Sequence, residues 1–259
     1  MADGTVAGTV VGTDGTADGA AKSYVTGQES PLSQRWGGWY VTAKNGSQGA
    51  MATNPAGQFN TASYLTGSSD IVALMVLAHQ TQMHNWITLT NYQTRIALFA
   101  DRKLSDQSRK RFEGPAEQLV RYLLFTNEIP LQNPIAGTSD FARQFTVRGP
   151  RDSQGRSLRD FDLQKRIFKY PCSYLIYSEA FDAIPAPAKD YIYRRLFEIL
   201  SGREQGPEFA SLTSQDRRAI LEILVATKPG LPEEWKRFVR DANQGLTSRA
   251  RAGAAHLQP

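Results

Sequence analysis

The longest uninterrupted pattern in the chain runs from Ser68 to Arg102 and contains neither Gly nor Pro. Apolar residues recur at Ile71, Leu74, Met75, Ala78, Met83, Trp86, Ile87, Ile96 and Phe99. Steps of three and four are what one face of an α-helix produces. The pattern predicts one long central helix with Trp86 buried on its inner face. Ser68 or Ser69 can cap its start, and Asp70 stands where the helix dipole favours an anion.

Shorter helices follow. Ser105 can cap a helical turn. Gly114-Pro115 then reads as an interruption, with Pro115 opening a new helix that carries Leu119, Tyr122, Leu123 and Phe125 inward. Asp140 to Phe145 predicts a short helix. The stretch from Arg159 to Pro185 is dense in aromatic residues that pack under the helices, with a short helix from Cys172 after Pro171. Pro187 opens another helix that ends near Gly202, and Thr213 to Asp216 reads as a capping box for the next. Trp235 and Phe238 dock a last turn.

The N-terminal part reads differently. Thr9 to Gly12 and Ser23 to Thr26 form at most a weak, Gly-rich hairpin, and Val41-Thr42 a brief strand. The expected architecture is therefore mainly α, with an irregular or β segment over residues 1–67, a helical domain over 68–240 and a disordered tail over 241–259.

Composition narrows the classes of function. Hydrophobic residues make up 41% and charged residues 21%, which is ordinary for a globular protein. The net charge is +5, but acids are interspersed among the cations and no polybasic tract marks a nucleic-acid surface. A single cysteine, Cys172, excludes an intrachain disulfide and any metal site built on several thiolates. No apolar run reaches the ~18 residues of a transmembrane helix. The first residues lack the basic and apolar regions of an export signal.

Candidate chemistry is sparse. His79 and His84 are five residues apart, so on a helix their rings point ~140° from each other and cannot share one metal. His79 lies on the face of Met75, Met83 and Trp86, where a hydrogen-bonded core histidine is the plain alternative to a ligand. Trp36 and Trp39 flank Gly37-Gly38, an arrangement that lets backbone pass close to a flat surface, of ligand or of protein. Cys172 reads as a buried, inert thiol. No phosphate-binding loop, dinucleotide fingerprint, nucleophile elbow or zincin helix is present. A hydrolase or metalloenzyme is thereby disfavoured.

Four ordered stretches carry a resemblance: SPLSQRWGGWYVTAKNG, SDIVALMVLAHQTQMHNWITLTNYQTR, YPCSYLIYSEAFDAIPAPAK and DRRAILEILVATKPGLP. Together, over roughly residues 23 to 236, they resemble exported bacterial proteins with a cytochrome c-like domain. The resemblance implies haem c in full-length relatives, electron transfer to a redox partner, and a periplasmic or exported location. In that group a C-x-x-C-H segment upstream of the Trp-Gly-Gly-Trp stretch attaches the haem and supplies the proximal histidine. This chain has no such segment, so it is expected to carry no covalent haem and to correspond to the portion downstream of it. The resemblance places Met51 and His79 as candidate axial ligands, in that order, and Trp36 and Trp39 as haem-side residues. The family's flanking histidines are replaced by Asn45 and Ala50, and the residue before His79 is Ala78 where the family has a carboxylate. The alternative is a haem-free scaffold or partner-binding helical domain.

Overall fold

A computed structural model describes Gln28, Glu29, Leu32, Asn60, Ala62, Ser63, Leu65 and residues 69–255, with side chains described as far as Gln244. The hairpin and brief strand expected in the N-terminal segment lie outside these residues. The described part is mainly helical: α1 (Ile71–Ala100), α2 (Asp106–Leu123), α3 (Phe141–Thr146), α4 (Glu179–Asp182), α5 (Ala186–Leu200), α6 (Ser214–Thr227) and α7 (Glu233–Ala255). Two 3-10 turns, Tyr174–Tyr177 and Pro207–Phe209, complete it. An isolated antiparallel bridge joins Phe161 to Phe168.

The start of α1 is fixed by one carboxylate. Asp70, not Ser68 or Ser69, is the N-cap, and its Oδ1 accepts from the backbone N–H of Val72 and Ala73. Its Oδ2 accepts from Ser139 twice, through the backbone N–H and the hydroxyl, each at 2.7 Å. Gly137 runs so close that an added Cβ would fall 2.4 Å from this carboxylate. Asp70 thus caps the helix and also holds the 137–139 loop against it. Asp70→Ala is expected to cost about 1–3 kcal/mol. Urea unfolding checks this: the midpoint falls with an unchanged slope if only the cap and its loop contacts are lost.

α1 packs mainly on α2, α2 packs on α5, and α6 pairs with α7. The inner face of α1 is Met75, Val76, His79, Met83, Ile87, Thr90, Thr94 and Ala97. Its C-terminal half departs from the apolar periodicity. Trp86 is only half-buried, Ile96 is 44% exposed and Phe99 is 93% exposed. The reason is that Thr90, Thr94 and Ala97 occupy the buried stripe there. Small residues allow close approach, and the Thr94 hydroxyl satisfies itself by donating to the Thr90 carbonyl. A buried threonine carries no apolar signal in sequence.

Pro115 lies inside α2 and does not begin a helix. It removes one N–H on the outer side of the helix, where Arg111 and Gly114 are exposed, and Gly114 tolerates the crowding a proline imposes on the residue before it. The C-terminus of α2 is a Schellman motif: Phe125 N–H donates to the Tyr122 carbonyl and Thr126 N–H to the Arg121 carbonyl. The left-handed position, normally glycine, is Phe125 with φ 56°.

α5 carries Pro187 in its first turn and ends at Gly202 with φ 79°. Thr213 and Asp216 form the capping box of α6. The buried Arg217 guanidinium donates to the carbonyls of Ile199, Glu204, Phe209 and Leu212, and so gathers the loop between α5 and α6 around itself. Arg195 of α5 meets Glu117 of α2 through two N–H donors, at 2.9 and 3.1 Å. Beyond Trp235, α7 continues to Ala255 and so covers much of the 241–259 segment that composition assigned to a disordered tail. Alanine, glutamine and arginine there favour helix.

Candidate functional site

The one described residue among the sequence-derived ligand candidates is His79, and it stands at the middle of a buried polar chain. The α1 register turns it toward the C-terminal end of α2. Its Nδ1 lies 2.9 Å from Gln28 Oε1, and its Nε2 lies 2.7 Å from Ser173 Oγ. Gln28 Nε2 donates to the Tyr122 carbonyl, which leaves its Oε1 facing the imidazole. This assigns the tautomer: Nδ1–H donates to Gln28, and Nε2 accepts from the Ser173 hydroxyl. Ser173 Oγ also accepts from Leu175 N–H at the start of the Tyr174–Tyr177 turn.

Aromatic rings close the remaining sides. Phe125 stacks on the imidazole at 4.6 Å and Tyr122 at 5.4 Å, and Phe168 approaches edge-on at 6.1 Å. The left-handed backbone at Phe125 has its account here, because glycine would relax the turn but uncover the imidazole. Complete burial pushes the His79 pKa down to about 3. The ring is therefore neutral at physiological pH.

A serine hydroxyl donating to a histidine whose other nitrogen is held by an oxygen acceptor is the orientation of a nucleophile–base pair. Here the serine is fully buried, and the void beside Gln28, Met75 and His79 is only about 10 Å³. That is about the space of one water, so no acyl substrate reaches Ser173. The arrangement binds the residue 28 segment, α1, α2 and the 173–177 turn into one unit. Sequence reasoning missed Gln28 and Ser173, which lie 51 and 94 residues from His79. Neither belongs to a local motif that would have flagged it.

Met51, Trp36 and Trp39 lie outside the described residues. Cys172 is fully buried, and burial pushes its thiol pKa up, far from thiolate reactivity. Among the described residues no three His, Cys, Asp or Glu side chains are grouped to hold a metal ion. Nor is any described helix long and apolar enough to cross a membrane.

A second feature lies at the C-terminal end of α1. Tyr92, Ile96 and Phe99 form an exposed row on one face, at steps of four and three. Arg95 shares that face, and Arg102 and Lys103 follow the helix end. Residues 95–113 hold six cations, Arg95, Arg102, Lys103, Arg109, Lys110 and Arg111, against Asp101, Asp106 and Glu113. None of the six makes an ion pair among the described residues; Arg95 instead donates to Asn91, and Arg111 to Gln93. The Asp101 carboxylate is held well below the usual carboxylate range by bonds from Ser105, Ser108 and Lys103 N–H, so it remains an anion that serves the turn.

Comparison with protein-family models, with curated proteins and with solved structures yields no match to this chain.

Proposed function

We propose that this chain is the helical scaffold of a bacterial, exported c-type cytochrome-like protein, one that docks an acidic partner and supplies no axial ligand from its helical body. The cytochrome-like part of this reading rests on the resemblance of the four sequence stretches, and the observation that supports a ligand-free helical body is His79. Both ring nitrogens are engaged in buried hydrogen bonds, so ligation to iron would break the bond to Ser173 or to Gln28 and leave that partner unsatisfied. In this reading haem c and electron transfer belong to the family's haem-bearing segment. If such a segment is joined to this chain, Met51 is the axial-ligand candidate that remains, with Trp36 and Trp39 at the haem side.

The partner would sit on the basic, apolar end of α1. An exposed apolar row of Tyr92, Ile96 and Phe99 beside cations that make no ion pair among the described residues suits an acidic amphipathic surface, such as that of a redox partner or of the haem-bearing segment itself. A direct probe is a synthetic amphipathic helix with a leucine face and glutamate flanks, titrated by calorimetry. Binding is expected at low ionic strength and should weaken as salt is added. The double variant Ile96→Asp, Phe99→Asp should fold normally, because both side chains face solvent, and bind at least about tenfold more weakly. Equal binding by the two proteins would remove the α1 face from the reading.

A further inference from the structure

The outward face of α1 carries a pattern that the partner reading uses only at its C-terminal end. Between Asp70 and Asp101 the helix has no Asp, Glu or Lys, and Arg95 is its single formal charge with histidine neutral. A helix face turned to water ordinarily carries charged side chains. Here Leu77, Thr81, His84 and Thr88 are all exposed and continue the row of Tyr92 and Phe99 toward the N-terminus. At ~100° per residue these positions and Arg95 fall within about 40° of the direction of Thr88, so they form one straight stripe. Its large apolar ends, Leu77 and Phe99, are about 33 Å apart at ~1.5 Å per residue.

What fits this stripe is a second copy of it. A two-fold axis level with Thr88, midway between two antiparallel copies of α1, sets Leu77 of one chain beside Phe99 of the other, and Phe99 beside Leu77. The same operation sets His84 beside Tyr92 and Arg95 beside Thr81. Thr88 meets its own copy at the centre, where a small side chain lets the helices approach to ~8–10 Å. Antiparallel order also suits the charge. The two Arg95 side chains then stand about 21 Å apart along the helix axis, beyond the ~8 Å screening length at physiological salt. Parallel pairing would bring Arg95 against Arg95, with no acid on the stripe to offset them.

A helix face about 33 Å long and ~10 Å wide buries on the order of 700 Å² from both chains together. Stable complexes bury at least ~1,200 Å², so the pair is weak and exchanges with monomer. We propose that the outward face of α1 is the interface of a transient antiparallel homodimer, which covers Tyr92 and Phe99 until an acidic partner displaces the second copy. The self-association stands on the stripe alone, and its competition with a partner rests on the function proposed for the α1 end.

Sedimentation velocity of the full chain, from about 10 µM to about 1 mM, tests the pair. The sedimentation coefficient should rise with concentration, with a dissociation constant in the range of roughly 50 µM to 1 mM, and saturating acidic leucine-faced helix should return the chain to monomer. Thr88→Lys places two like charges at the axis and should weaken association at least about tenfold. Thr88 is exposed, so this variant should fold and bind the acidic helix at least as tightly as wild type. Under mild oxidation, Leu77→Cys and Phe99→Cys chains should cross-link with each other at least about tenfold faster than Leu77→Cys chains among themselves. The buried Cys172 does not compete. A chain that stays monomeric throughout, a dimer untouched by Thr88→Lys, or Leu77→Cys chains that cross-link among themselves as fast as with Phe99→Cys chains would overturn the dimer. A dimer that forms while the acidic helix binds nothing would instead overturn the partner and the competition alone.

Discussion

Between pH 7 and pH 5 the wild-type chain is expected to lose about 2 kcal/mol of stability that a His79→Gln variant does not lose. The sign follows from the buried imidazole. Burial holds the folded-state pKa of His79 down at about 3, against an ordinary value of 6.5 in the unfolded chain. The unfolded chain therefore takes up the proton first. The stabilising contribution is complete above about pH 6.5 and is lost as pH falls from there toward 3. Over the whole window the loss is on the order of 4–5 kcal/mol. The upper part of the window lies above the carboxylate range, which separates this loss from general acid denaturation. The check is urea unfolding of both proteins at each pH. The variant starts less stable, since Ser173 and Gln28 lose their shared partner, but its stability should be nearly flat between the two pH values.

Trp235→Ala is expected to lower stability by about 3–5 kcal/mol. Trp235 is fully buried at the start of α7, with its ring 5.6 Å from Phe197 and 6.2 Å from Tyr193, both on α5. It is the anchor that seats α7, and Phe238 one turn later adds an edge contact to Phe197 at 5.5 Å. The indole Nε1 is buried and makes no hydrogen bond. Trp235→Phe should therefore keep most of the packing without orphaning a partner, and cost only about 1–2 kcal/mol. Thermal unfolding of the two variants checks the ordering. Equal losses would mean that the indole nitrogen, not the ring volume, does the holding.

The sequence carried the helical part well wherever local chemistry decided the outcome. The capping box of Thr213 and Asp216, the glycine after α5 and the proline in its first turn are short-range signals, and each is found where it was read. Elements that depend on packing were less legible. Pro115 reads as a break because proline usually ends a helix, yet α2 runs through it where the lost N–H faces water. The outer row of α1 reads as core because Ile96 and Phe99 fit the helical period, while the residues actually buried there are Thr90, Thr94 and Ala97. The polar chain around His79 is invisible to any local reading, since its partners come from distant parts of the chain. Burial of His79 itself was readable from its place among Met75 and Met83 on the inner face.

The most direct test is the protonation state of His79 observed by long-range nitrogen–proton correlation in the labelled protein. The predicted spectrum shows a neutral ring with the proton on Nδ1 and an acceptor-type Nε2, unchanged between pH 7 and pH 5 and unchanged when equimolar haemin is added. A His79 ring that titrates near its ordinary value of 6.5, or whose Nε2 signal is lost or strongly shifted by haemin, would contradict a locked structural histidine and return it to the role of iron ligand.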